Sequence, residues 1–400
     1  MIFSIQGQDV MSLMPPIPFK KSLNRVVAGA AILGSLMAVS ATSAQAIETI
    51  AREAFIMDFD TGTVLLNKDG DTLTEPASMT KMMTVHMLFK HIKDGSVSMD
   101  DTFHVSEKAW RKGGSKMFVE VNSDVSVSDL LHGIIVQSGN DAAIVVAEGL
   151  AGTEDAFAEE MTEEARNIGM TKSVFKNATG WPAEGHLVTV HDLATLARDT
   201  IRNFPELYKL YSVREFTYNG IRQPNRNPLL GTSAGVDGLK TGHTETAGYG
   251  LTASAERDGR RLIVVVNGLG SVRERRTESQ KLLDWGFREF DNYDLFAKDE
   301  TVATADVWLG EEKKVDLVAD KDILLTLPRS AHNDMKVSVE YEGPIPAPIT
   351  KGQQIAHLKV EVPDQEPREF PLYAAQDVER LGLIGRIGAA IKYLLWGANG

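Results

Sequence analysis

The sequence predicts an α+β protein: an antiparallel sheet with a block of helices, then a small all-β sandwich and a C-terminal amphipathic helix. Three observations carry this. Up to about residue 290 the pattern runs strand pair, helices, strand pair, helix. After Tyr293 it changes to short alternating runs punctuated by Pro and Gly. At the end, Leu381, Ile384, Ile387, Ile391 and Leu394 recur at helical spacing. The 400-residue chain, 43% hydrophobic and 24% charged, is long enough for more than one cored domain. Segments 1–46, 47–292, 293–373 and 374–400 are read separately.

Segment 1–46 has Lys20, Lys21 and Arg25, an apolar stretch from Val26 to Val39, and the small-x-small ending Ala44-Gln45-Ala46. That order of features predicts a secretory signal peptide cut after Ala46. An uncleaved anchor helix is the alternative, although the apolar core is short for a span.

In segment 47–292, "AFIMDFDTGTVLLNKDGD" alternates around Asp60-Thr61-Gly62 and predicts a hairpin. From Ser78 to about Lys93 a helix is expected, its Met and Leu positions covering most of the circumference, which points to deep burial. "SVSDLLHGIIVQ" and "DAAIVVAEGLAG" read as two helices joined at "SGN". "TVHDLATLARDTIRNF" is a further amphipathic helix. "GYGLTASAERDGRRLIVVVNGLG" reads as strand, Asp258-Gly259 turn, strand, and "TESQKLLDWGFREF" returns to helix. Strands from both ends of the segment are expected to share one sheet.

Segment 293–373 reads as the β sandwich and shows no cluster of catalytic residue types. In segment 374–400, Arg380, Arg386 and Lys392 flank the apolar positions and Trp396 lies near the end. This predicts a helix lying in a membrane interface, with packing on the protein as the alternative.

Composition excludes several classes. A net charge of −13 argues against broad nucleic-acid binding, which needs a basic surface. With no cysteine, thiolate chemistry, disulfides and Cys-based zinc sites are excluded. The nine histidines form no His-Glu-x-x-His or close pair, so neither a metal site nor a cofactor is expected.

Three short pieces carry chemistry, and each has a bland reading. In "EPASMTKMMT", Ser78 and Lys81 share a helix face at i and i+3, so a lysine in an apolar pocket could take the serine proton. The bland reading is an N-cap serine and a solvated lysine. In "QSGNDAA", Ser138 could shuttle a proton and Asn140 could hold a substrate carbonyl, or the piece is a polar turn. In "GLKTGHT", Lys240, Thr241 and Gly242 at the start of a strand could bind a carboxylate and let a substrate backbone approach, or they mark a bulge.

The three occur in this order, each on the element its role requires. So combined, the chain resembles the low-molecular-mass penicillin-binding proteins of the serine-type D-alanyl-D-alanine carboxypeptidase family (peptidase S11), with a β-lactamase/transpeptidase-like fold. "GSKMFVE", "IIVQSGNDAA", "VDGLKTGHTETAGYGLTASA" and "ESQKLLDWGFREF" extend the resemblance over roughly Glu48 to Phe290. It implies that Ser78 attacks the bond between two D-alanines of a peptidoglycan stem peptide and that Lys81 is its base. It implies that Ser138 relays protons with Lys240 tuning it, and that Asn140 orients the peptide. Gly242 lies where substrate backbone would approach, and the second oxyanion N–H is expected at or near His243. Thr241 and Arg275 are expected to bind the terminal carboxylate, with Arg273 and Arg276 close rivals for the arginine. β-Lactams would be covalent inhibitors, and the periplasmic face of the inner membrane the expected location.

Other features of the sequence bear on rival readings. A second Ser-x-x-Lys, Ser173 to Lys176, lacks a following apolar helix and reads as chance, and the Asn177 sequon as unused. A β-lactamase would share the fold and motifs, but its deacylating glutamate has only a superficial candidate in Glu206. D,D-endopeptidase activity would use the same site. A non-catalytic wall-binding protein would need none of these side chains.

Overall fold

The computed structural model describes residues 3–7, 47–363 and 365–388. The chain divides into two compact units, residues 47–291 and a second containing 292–400.

In the first unit, β1 (Glu53–Asp58) and β2 (Val64–Lys68) form the hairpin around Asp60-Thr61-Gly62. Asp58 fixes its turn by accepting the N–H groups of Asp60 and Thr61 at 3.1 Å each. The strands returning from the far end are β3 (Val236–Thr244), β4 (Gly248–Arg257) and β5 (Arg260–Leu269). All five share one antiparallel sheet in the order β2-β1-β5-β4-β3, which leaves β3 at an edge. Both faces of β5 are buried, so Leu262 to Val266 is a continuous apolar run rather than an alternation.

The helical block covers one face. It comprises α1 (Lys81–Lys93), α2 (Val127–Ile135), α3 (Asn140–Ala151), α4 (Glu154–Asn167) and α5 (Val190–Asn203). Three of these helices begin on a serine or threonine whose hydroxyl takes a backbone N–H: Ser126 for α2, Thr153 for α4 and Thr189 for α5. Every α1 residue from Lys81 to Phe89 is buried, as its encircling Met and Leu pattern predicts. The larger core joins this block to Phe55, Ile263 and Val265 of the sheet. On the other face, α6 (Val272–Glu289) packs Leu282, Leu283 and Trp285 against Ile56, Leu262 and Val264.

Two boundaries differ from the sequence reading. Residues Ala77–Thr80 form a 3-10 turn, so Ser78 precedes the α-helix and Lys81 opens it. Lys240 lies in the middle of β3, not at its start, because the turn at Gly235 already ends the preceding loop.

The second unit is β-rich. Its larger sheet runs Lys336–Tyr341, Gln354–Glu361, Arg368–Ala374, Lys314–Val318, Thr301–Trp308, Ile345–Pro346. A separate pair joins Phe290–Phe296 to Ile323–Pro328. Val315, Leu317, Leu325, Val339, Leu358 and Leu372 meet in its core. Phe3–Gly7 runs parallel to Lys336–Tyr341 at the sheet edge, and the rest of the signal-peptide reading lies outside the described residues.

The C-terminal helix expected over 374–400 starts later. Ala374 ends a strand, Val378 bridges Ile349, and Arg380 bridges Gly310. The Leu381 N–H donates to the Leu309 carbonyl at 2.8 Å, so backbone pairing to the β unit outcompetes helix up to Gly382. Helix then covers 383–388, and Ile391, Lys392, Leu394 and Trp396 lie outside the described residues.

Candidate active site

The turn carrying Ser78 is held in a sparsely populated backbone shape: Ala77 has φ +48°, in a region costly for a residue with a Cβ. Two neighbours over-determine it. Gly180 (φ +78°) packs against it so closely that a Cβ there would overlap the Ala77 carbonyl oxygen. Gly242 on β3 approaches from the sheet, where a Cβ would lie 2.9 Å from Pro76 O and 3.2 Å from Ala77 Cβ. The 3-10 turn presents Ser78 just ahead of α1, at the positive end of the helix dipole, which favours negative charge.

Lys81 is fully buried. Its Nζ donates to Ser78 Oγ at 3.0 Å and to the Thr179 carbonyl at 2.5 Å. Burial, then the positive charge of Arg226, pushes its pKa down to about 7. A lysine so placed is substantially neutral near pH 7 and has its lone pair within reach of the serine proton.

Ser138 and Asn140 lie in the corner between α2 and α3. Ser138 takes φ +62° and its buried Oγ has no hydrogen-bond partner among the described residues. Leaving such a group unsatisfied costs about 1–3 kcal/mol, a cost that a bound polar group would relieve. Asn140 is buried and its Nδ2 donates to Gly113 O at 2.8 Å. Asp141, next in sequence, accepts the N–H groups of Met117 (3.0 Å), Phe118 (2.9 Å) and Val119 (3.3 Å). It ties the 117–119 loop to the start of α3.

On β3, Lys240 is buried, and its pKa is driven well below the ordinary value by burial, then by the charges of Lys81, Arg226 and Arg275. Thr241 is buried, whereas His243 is exposed, its ring 3.9 Å from that of its cross-strand partner Tyr249. From α6, Arg275 is buried and its Nη1 donates to Gly242 O at 3.4 Å. Its Nε has no partner among the described residues, and burial brings its pKa down to about 10. Arg273 and Arg276 are exposed.

The first and third sequence motifs therefore meet around one turn: Ser78 and Lys81 directly, Gly242 against Ala77, and Lys240 close enough to feel the charge of Lys81. Three contributors were not legible beforehand: the Thr179 carbonyl, Asp141, and Arg226, whose charge acts on Lys81, Lys240 and Arg275. A carbonyl has no sequence signature, and Arg226 sits in a loop of turn-forming residues, "QPNRNP".

The rival residues sit elsewhere in roles of their own. Ser173 is buried and donates to Asp192 Oδ2 at 2.6 Å, so the second Ser-x-x-Lys is structural. Asn177 Oδ1 accepts backbone N–H groups of Thr179, Gly180 and Trp181. Glu206 is a surface residue, its side chain 82% exposed and paired with Lys209 at 2.6 Å. Among the described residues no group of three or more His, Asp and Glu side chains could hold a metal ion.

Comparison with known proteins places the chain in a family. A family model described as D-alanyl-D-alanine carboxypeptidase matches residues 39–270. A second, described as the C-terminal domain of penicillin-binding protein 5, matches residues 290–380. The chain is 36% identical over 380 residues to D-alanyl-D-alanine carboxypeptidase DacC of Escherichia coli (strain K12), covering 92% of this chain and 95% of that one. It is 35% identical to DacF of Bacillus subtilis (strain 168), covering 84% of this chain and 87% of that one. The crystal structure of penicillin binding protein 5 from Haemophilus influenzae superposes with a TM-score of 0.77 at 34% identity, over 84% of this chain and 100% of that one. Matched along both units and around the serine turn, the chain belongs to the D-alanyl-D-alanine carboxypeptidase family.

Proposed function

We propose that Ser78 opens the bond between two terminal D-alanines of a peptidoglycan stem peptide and releases the last one. The observation that carries this is the buried Lys81, its Nζ 3.0 Å from Ser78 Oγ and its pKa down to about 7.

Neutral Lys81 takes the Ser78 hydroxyl proton as Oγ attacks the carbonyl carbon. The Ser78 N–H and one on β3, at or near His243, hold the oxyanion. The carbon–nitrogen bond then breaks. The departing D-alanine nitrogen receives a proton through Ser138, whose Oγ has no partner among the described residues, with Lys240 tuning the transfer. Asn140 orients the acyl side of the peptide, while Thr241 and Arg275 take the terminal carboxylate. Gly242 keeps the strand close, and as an edge strand β3 has backbone groups for an extended substrate. Water next attacks the ester, Lys81 takes one of its protons and passes it to the departing Ser78 Oγ, and the shortened peptide leaves as an acid that gives its remaining proton to solvent.

β-Lactams would acylate the same serine. Exposed and paired with Lys209, Glu206 offers no deacylating base, which supports a carboxypeptidase over a β-lactamase. Endopeptidase action on cross-links would use the same groups. Export through segment 1–46 and attachment of the C-terminal helix to the outer face of the inner membrane complete the reading.

Labelling with a fluorescent penicillin tests it. A covalent adduct on the wild type and none on Ser78→Ala is expected. Absence of an adduct on folded wild type would overturn the catalytic reading in favour of a wall-binding protein.

A further inference from the structure

Near Asn140 stands an aromatic group that the reaction as described does not use. Trp181 is 46% exposed, a large apolar ring left in water. Its backbone is nevertheless clamped. Asn177 Oδ1 accepts the Trp181 N–H at 3.1 Å, and Asn177 Nδ2 donates to Trp181 O at 2.8 Å. Through Thr179 and Gly180 the same loop touches Lys81 and Ala77, so the Trp181 backbone is fixed relative to the Ser78 turn.

The ring lies toward Asn140. A Cβ built on Gly114 would stand 2.8 Å from Asn140 Nδ2 and 3.2 Å from Trp181 Cζ3, so only a glycine's width separates indole and amide. Lys112 holds its ammonium 4.6 Å from the ring centroid and pairs with no carboxylate among the described residues. The ring face attracts the cation weakly, enough to orient the ammonium without neutralising it.

We infer that Trp181 and Lys112 form a subsite for the acyl-side arm of the substrate, an extended peptide segment that lies on the indole and presents a carboxylate to Lys112. This rests on the reading of Asn140 as the acyl-side group. With the terminal carboxylate held at Thr241 and Arg275, the remainder of the peptide must leave past Asn140, and there it meets the indole. A rigid ring loses little entropy on contact, and an unpaired ammonium selects an anionic peptide.

The test compares three peptides ending in D-Ala-D-Ala: one with an upstream acidic residue, the same peptide amidated at that carboxylate, and a short acetylated one without the arm. Lys112→Ala should lower kcat/KM about tenfold for the acidic peptide alone, the size of one hydrogen bond to a charged group. Lys112→Arg should restore it. Trp181→Ala should lower kcat/KM for both long peptides and spare the short one, with Trp181→Phe recovering most of the loss. Because the Lys112 charge also helps to lower the Lys81 pKa, all rates are compared well above pH 7, where wild-type Lys81 is neutral, and Lys112→Arg, which keeps the charge, should leave benzylpenicillin acylation unchanged and report an intact site. Equal losses on all three peptides, or none on the acidic one, would overturn the subsite. If the wild type takes penicillin but cleaves no peptide, the carboxypeptidase reading fails first and the subsite falls with it.

Discussion

At the scale of single residues, the proposed role of Lys81 as base predicts the pH at which the site works. Its folded pKa of about 7 lies below the ordinary 10.5, so the reactive neutral form accumulates as pH rises through about 7. The penicillin acylation rate should climb about tenfold per pH unit below that point and level above it. Lys81→Ala should lower it by about 10²–10⁴. The same shift bears on stability. The unfolded chain binds the proton more tightly than the folded one, so Lys81 weakens the fold below pH 7, and this is relieved as pH rises from about 7 to 10.5. The Tm of Lys81→Met relative to wild type should therefore fall across that range. The contact between Ser78 and Lys81 was legible because the two sit three residues apart, where spacing fixes geometry. Thr179, Arg226 and Trp181 were not, because they reach the site by tertiary approach from loops with no periodicity.

At the scale of elements, the site depends on how closely three of them approach. β3 can come against the nucleophile turn because position 242 has no side chain. Gly242→Ala should push strand and turn apart by a few tenths of an ångström and slow acylation by about 10–100-fold, with little change in Tm. Stopped-flow acylation and a melting curve would separate the two effects. Asp141 does a different job, since three loop N–H groups end on its carboxylate. Asp141→Ala should lower stability to urea by about 2–4 kcal/mol, because the N–H groups of buried Met117 and Val119 lose their partner. Element type was legible wherever hydrophobic period was strong, as in α1, α5 and the β4–β5 hairpin. Boundaries failed where a backbone partner overrode the pattern. Leu381 fits the apolar helical repeat, yet its N–H goes to Leu309 in the β unit.

At the scale of the whole molecule, that boundary decides where an anchor would begin. Beyond Gly382 the chain turns helical and exposes Leu383, Ile384 and Ile387 at 70%, 89% and 60%, with Arg386 between them. Among the described residues no helix is long and apolar enough to cross a membrane. Apolar residues left in water beside a cation suit a helix that lies in an interface and meets anionic headgroups. The protein's net charge of −13 would otherwise repel such a surface, so attachment has to be local. A chain ending at Gly382 keeps the Val378 and Arg380 bridges and should fold as before. Ending it before Asp377 would strip those bridges and the 2.7 Å bond from Lys351 N–H to Asp377, confusing unfolding with detachment. In sedimentation with phosphatidylglycerol-containing vesicles, residues 47–400 should pellet and residues 47–382 should stay in solution. Both should label equally with penicillin, because the core around Ser78 lies wholly within residues 47–291. Ile384→Asp with Ile387→Asp in the full chain should release it as the truncation does. If the shortened form still pellets, the contact with lipid lies elsewhere on the molecule.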